Sequence, residues 1–192
     1  MIPVVEFVTA TSIEGVMIVA PRRHYDARGH FTETWNPRSL RQAGIDAVFV
    51  QDNHSYSAQP GTVRGLHYQR PPHAQAKLVR CGRGRLLDVA VDIRCGSPTY
   101  GRSVTVELSA ENGLQLFIPA GFLHGFMTLE PDCELLYKCS DYYAPDCDGA
   151  VRWDSCGIDW PLDGLPAPSL SDKDAAATPF DQFDSPFIYE AA

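Results

Sequence analysis

Apolar and polar residues alternate along this chain with a period of two, and glycine or proline breaks the pattern every few residues. That rhythm restricts the fold more than any other feature. In residues 86–93, Leu87, Val89, Val91 and Ile93 share one face of an extended chain, with Asp88 and Asp92 on the other. Val104, Val106 and Leu108 alternate with Thr105 and Glu107, and Leu114, Leu116 and Ile118 continue the pattern. Cys133, Leu135, Tyr137 and Cys139 share a face opposite Glu134, Lys138 and Ser140, and segments 62–69 and 76–81 also read as strands. Gly82, Gly84, Gly96-Ser97-Pro98 and Pro119-Ala120-Gly121 stop these runs. Short strands between frequent turns predict an all-β chain closed into a barrel or jelly roll, which limits exposed edges.

Helices are expected in two places. Near 37–43, Asn36 suits the N-cap, Pro37 the first helical position and Gly44 the exit. A second short helix is expected to begin near Ser171. Residues 179–192 read as a loosely structured tail that Phe180, Phe183 and Phe187 could dock.

The 192 residues suit a single domain, 1–192, with a full core. Sixteen basic against 24 acidic residues give a net charge of −8. That field disfavours nucleic acid and anionic membranes as partners, but it allows a small anionic ligand where Arg and Lys gather locally. No run approaches the ~20 apolar residues of a membrane span. Glu6 and Glu14 interrupt the N-terminal apolar stretch, which lacks a basic start, so no signal peptide is expected. The six cysteines form no C-x-x-C pair and read as free thiols of a reducing cytoplasm.

The most unusual local composition is Val63-Arg64-Gly65-Leu66-His67-Tyr68-Gln69. On a strand, Val63, Gly65, His67 and Gln69 point one way and Arg64, Leu66 and Tyr68 the other. Gly65 leaves space beside His67, as an approaching ligand would need; the alternative is a core histidine with both nitrogens satisfied. The segment from Pro119 to His124 has the pattern P-x-G-x-x-H, which resembles the second motif of the cupin superfamily, whose barrels are double-stranded β-helices. In metal-binding cupins that histidine joins an H-x-H pair. Here the first motif reads His67-Tyr68-Gln69, and His73 lies in a proline-rich loop. A resident metal wants three or four convergent ligands, so no metal is expected.

Over most of its length the chain resembles the dTDP-4-dehydrorhamnose 3,5-epimerase family. The resemblance rests on Asp26-Ala-Arg-Gly-His-Phe31, Phe49-Val-Gln-Asp-Asn-His-Ser55, the His67 segment, and Lys77-Leu-Val-Arg-Cys81. It continues through Ile118-Pro-Ala-Gly-Phe122, His124-Gly-Phe126, Glu134-Leu-Leu-Tyr-Lys138, Gly157-Ile-Asp-Trp-Pro161 and Leu170-Ser-Asp-Lys-Asp-Ala-Ala176.

The resemblance implies epimerisation of dTDP-4-dehydro-6-deoxy-D-glucose at C3 and C5, with no cofactor. A ketone at C4 acidifies both neighbouring C–H bonds, and inversion then needs a base and an acid on opposite faces of the ring. The family's base position falls on His67, its orienting carboxylate on Asp174, its acid on Tyr137, and the cation near the ketone oxygen on Lys77. Phosphate-binding positions fall on Arg28 and Arg64. Other ligand contacts fall on Glu33, Gln51, Asn53, His124, Asp148 and Lys173, and a thymine-stacking aromatic on Tyr143. His24 stands where many members carry Phe as a second stacking group. The resemblance further implies a homodimer with N-terminal strands exchanged. The rival readings are an enzyme inverting one carbon only, a sugar-nucleotide-binding module without catalysis, and a metal-dependent cupin oxygenase.

Overall fold

The computed structural model describes residues 5–191. Its strands run in chain order as β1 (Val5–Ala10), β2 (Met17–Pro21), β3 (Arg23–Asp26), β4 (Gly29–Thr32), β5 (Gln51–Ser57), β6 (Val63–Gln69) and β7 (Lys77–Arg83). They continue as β8 (Arg85–Asp92), β9 (Arg94–Cys95), β10 (Ser103–Ser109), β11 (Gln115–Ile118), β12 (Phe122–Thr128), β13 (Cys133–Cys139), β14 (Asp148–Ala150) and β15 (Phe187–Ile188). Two short helices join them: α1 (Pro37–Gln42), capped by the Asn36 side chain, and α2 (Asp172–Ala175), capped by Ser171. Both lie where the cap residues put them. No described helix is long and apolar enough to cross a membrane.

The expected all-β architecture is present as two facing sheets, ordered β1-β2-β11-β7-β13-β5 and β10-β8-β12-β6-β14. Between them Val79, Cys81, Leu116, Ile118 and Leu135 of the first meet Leu86, Ala90, Val104, Val106, Leu108, Phe122 and Phe126 of the second. Each Val, Leu, Ile or Phe side chain among them, fully removed from water, contributes about 1.5–3 kcal/mol. The outer faces are covered too. Leu40 of α1 and Ile45 pack on Val19, Leu78 and Phe117, while Trp160 and Phe187 pack on Val89, Val91, Ile93, Leu123 and Met127. Strands covered on both faces lose their polar alternation, and all seven residues of β12 are buried.

Two expectations need correcting, and alternation leaves open which face of β8 meets the opposing sheet. The apolar face of β8 does not point between the sheets. Val89, Val91 and Ile93 lie outside, under the C-terminal segment, and Asp88 and Asp92 on the inner side are fully buried. The tail is not loose: Phe187 is buried, β15 pairs in parallel with β9, and the Tyr189 hydroxyl donates to Glu14 at 2.6 Å. The apolar outer face of the second sheet requires a cover, and the tail supplies part of it.

The second correction concerns β6. Pairing runs from His124↔His67 to Phe126↔Arg64, three steps on β6 against two on β12. That extra residue is a bulge, and it reverses the alternation locally. Arg64 therefore lines the same cavity as His67, while Val63 and Leu66 join the outer cluster. The space beside Gly65 (φ +124°) is taken by backbone: a Cβ there would lie 2.6 Å from the Gly125 Cα. The glycine serves strand contact, not ligand approach.

Candidate active site

Residues of both sheets and of α2 enclose a cavity of about 650 Å³, lined among others by Arg64, His67, Lys77, His124, Tyr137, Lys173 and Asp174. A second compartment of about 260 Å³ shares His67, Lys77, Tyr137 and Lys173 with it and adds Gln51, Asn53, Tyr143 and Asp148. Together they form one elongated cleft.

Its walls come from different sheets. His67 (β6) and His124 (β12) are cross-strand partners on one side. Tyr137 (β13) and Lys77 (β7) stand on the other, on adjacent strands where Cys139 pairs with Lys77. The Lys77 Nζ lies 6.0 Å from the centre of the Tyr137 ring.

The His67 Nε2 is 2.6 Å from the Asp174 Oδ1. Asp174 comes from α2, which starts there because the Ser171 hydroxyl accepts the Asp174 N–H at 3.1 Å and acidic residues favour a first turn. The Gly65 N–H donates to the other carboxylate oxygen at 3.4 Å. Burial works to raise the Asp174 carboxyl, but the hydrogen bond and charge of His67 outweigh it and hold the group below the ordinary carboxylate range. A permanent carboxylate thus fixes the tautomer of an imidazole whose side chain is one-third exposed, at 33%.

Burial raises the Tyr137 phenol, with Cys139 and Asp148 adding to it and Arg64 opposing, so the group stays protonated and available as a donor at neutral pH. Burial lowers the Lys77 ammonium, against the influence of Cys139, Asp88 and Asp148. Around the cleft Asp174 pairs with His67, Asp88 with His124, Glu134 with His54 and Asp148 with Lys173. Lys77 and Arg64 have no carboxylate partner among the described residues and are free to meet an anion. Arg64 is held at the wall by the Tyr56 carbonyl (2.9 Å) and the Ser57 hydroxyl (3.2 Å).

In the second compartment the Gln51 amide donates to Asn53 (3.1 Å), and its oxygen accepts the Tyr143 N–H (2.9 Å). The Asp148 carboxylate accepts from the Tyr143 hydroxyl at 3.2 Å and also from Lys173. His24, Arg28 and Glu33 are not brought to this cleft. His24 and Arg28 sit exposed on the β3–β4 hairpin, where Arg28 pairs with Asp26 at 2.5 Å, and the Glu33 Oε1 is buried without a partner. His73 instead pairs with Asp141 at 3.0 Å. No group of three metal-ligating side chains converges among the described residues.

Sequence reasoning missed Asp88. It is fully buried, and its Oδ1 lies 2.9 Å from the His124 Nε2. The available signal was a pair of carboxylates, Asp88 and Asp92, on one face of an otherwise apolar strand.

Facing walls with an imidazole–carboxylate pair on one side and a phenol and an ammonium on the other, on a cupin-type two-sheet barrel, suit an epimerase. The chain belongs to the dTDP-4-dehydrorhamnose 3,5-epimerase family, whose model matches residues 10–182. It is 51% identical over 167 residues to the dTDP-4-dehydrorhamnose 3,5-epimerase of Sinorhizobium fredii, covering 86% of this chain and 85% of that one. It is 49% identical over 178 residues to the enzyme of the same name from Salmonella typhimurium, covering 91% and 96%. The crystal structure of dTDP-6-deoxy-D-glucose-3,5-epimerase from Legionella pneumophila, in complex with dTDP-4-keto-L-rhamnose, superposes with a TM-score of 0.89 at 43% identity, covering 96% of this chain and 98% of that one.

Proposed function

We propose that this chain, acting as one domain, converts dTDP-4-dehydro-6-deoxy-D-glucose to dTDP-4-dehydro-L-rhamnose, a step in dTDP-L-rhamnose biosynthesis. The observation that carries the mechanism is the placement of His67 and Tyr137 on opposite sheets around one cleft. The His67 imidazole removes the proton from C3; the C–H electron pair moves into the ring, and the ketone oxygen becomes an enolate oxygen. Lys77, without a carboxylate partner, stabilises that charge. Tyr137 delivers its phenolic proton to C3 from the opposite face, which restores the ketone with inverted configuration. Water returns a proton to the phenolate and takes one from the imidazolium. The same cycle at C5 completes the reaction. Asp174 stabilises the imidazolium and fixes its orientation. No redox change occurs, and no cofactor is called for.

Arg64 serves the diphosphate, where a guanidinium suits bidentate contact. Tyr143 stacks on thymine beside Gln51, Asn53, Asp148 and Lys173. The hairpin that carries His24 and Arg28 also exposes Tyr25 (72%) and Phe31 (69%). In a cytoplasmic homodimer with exchanged N-terminal strands, a second copy supplies these residues and Glu33. Proton NMR of the 4-keto sugar nucleotide in deuterium oxide tests the reading: deuterium enters at C3 and C5 and the rhamno product accumulates. Exchange and inversion at one carbon alone would replace it with the single-inversion reading, and no exchange with the binding-module reading.

A further inference from the structure

We propose that Asp88 is a positioning residue for ligand orientation: its buried carboxylate fixes His124 with the proton on Nε2, so that Nδ1 offers a lone pair to a hydroxyl of the sugar. The inference deepens the epimerase reading and rests on it for the identity of the hydroxyl-bearing ligand.

Asp88 lies on β8 between the sheets, and none of it reaches solvent. Its Oδ1 is 2.9 Å from the His124 Nε2, while its Oδ2 is buried with no partner. A carboxylate only accepts, so the hydrogen bond places the proton on Nε2. His124 is 6% exposed and lines the cavity, and its Nδ1 makes no hydrogen bond among the described residues. Burial is the largest influence lowering the imidazole's proton affinity. Lys77 on β7 and His67 on β6 act in the same sense, and Asp88 opposes them. The Tyr137 ring on β13 faces it at 6.4 Å. A neutral ring so held is a donor to the protein and an acceptor to the cleft.

Its neighbours in the cavity are mostly donors, and the other bare ring nitrogen, Nδ1 of His67, is committed to the carbon-bound proton. Arg64, Lys77 and the protonated Tyr137 all present donors to the same cavity. A ketone oxygen finds partners among them, but a sugar hydroxyl must also donate. Nδ1 of His124 is therefore the group that separates the two ends of a keto-alcohol: carbonyl toward Lys77, hydroxyl toward His124. Asp88 sets that polarity without touching the ligand.

Nitrogen-15 NMR of the full chain, with labelled imidazoles and no ligand, tests the proposal directly. The expected result is one His124 tautomer at neutral pH, protonated at Nε2 and bare at Nδ1. In Asp88→Asn the amide can donate or accept, so the single tautomer is lost. The value of kcat/KM then falls roughly 3- to 10-fold through KM, with kcat nearly unchanged, because the contact exists in ground and transition states alike. A wild-type His124 protonated at Nδ1 or on both nitrogens overturns the proposal, as does an Asp88→Asn variant with unaltered tautomer and KM. Should that variant not fold, the wild-type spectrum alone decides. Failure of the epimerase reading is distinguishable, because it shows as absent deuterium exchange beside an intact tautomer.

Discussion

His67 and His124 are cross-strand partners, yet each imidazole leans on a different buried carboxylate: Asp174 at 2.6 Å for the first, Asp88 at 2.9 Å for the second. Their side chains are 33% and 7% exposed. Equivalent chemistry in unequal surroundings gives unequal duties. The accessible ring can exchange a proton with substrate and then with water, while the enclosed ring stays neutral.

The two proton-transfer residues are expected to fail differently. His67→Ala lowers both deuterium uptake and inversion by roughly 10²–10⁴. Tyr137→Phe keeps the ring and its packing, so His67 still removes a proton and returns a deuteron to the same face. That variant washes deuterium into the substrate with little inverted product. Near-normal product formation by Tyr137→Phe in the NMR assay would show that another group is the acid.

Arg64→Ala is expected to weaken dTDP binding by roughly 10- to 100-fold, the scale of lost hydrogen bonds to a charged group. Wild-type affinity falls with added salt, and the variant's falls less. Calorimetry at two salt concentrations is the measurement. Equal affinities in the two proteins would move the diphosphate away from β6.

Asp92 provides a test outside the cleft. Its carboxylate accepts from the Arg94 side chain (2.9 and 2.8 Å), the Ser97 hydroxyl (2.6 Å) and the Thr99 hydroxyl (2.6 Å). Burial would raise its pKa, but these bonds outweigh burial and lower it. Asp92→Asn is expected to cost about 3 kcal/mol at neutral pH. With the folded value depressed, the stabilisation is complete above the unfolded value of ~3.9 and is lost as pH falls through the folded one. The gap in melting temperature between wild type and variant should therefore close in acid. A gap independent of pH would contradict this account.

Gly65→Ala should cost more than its single methyl group suggests. It meets a positive φ and backbone at 2.6 Å, so β6 must part from β12. A loss of about 3 kcal/mol in denaturant unfolding is expected, with His67 and His124 displaced and kcat/KM reduced further. Wild-type stability in this variant would mean that the two strands have slack.

Much of this was legible beforehand, and the gaps have physical causes. Alternation identified β6, β7, β8, β10, β11 and β13 but not β1 to β5, and cap residues located both helices. Periodicity sorts side chains into two faces but does not say which face meets the opposing sheet, because in β8 and β12 both faces are covered. One inserted residue in β6 was enough to carry Arg64 to the side of His67. No local pattern links His67 to Asp174, 107 positions apart; only the family resemblance brought them together. The resemblance also grouped His24, Arg28 and Glu33 with the cleft, and this chain alone does not bring them to it.

Lys173 and Asp174 are neighbours on the four-residue helix α2, and they face different tasks. Lys173 holds Asp148 at the second compartment, and Asp174 holds the ring of His67. One turn of backbone thus ties the two compartments together, and a change that unwinds α2 would loosen both contacts at once.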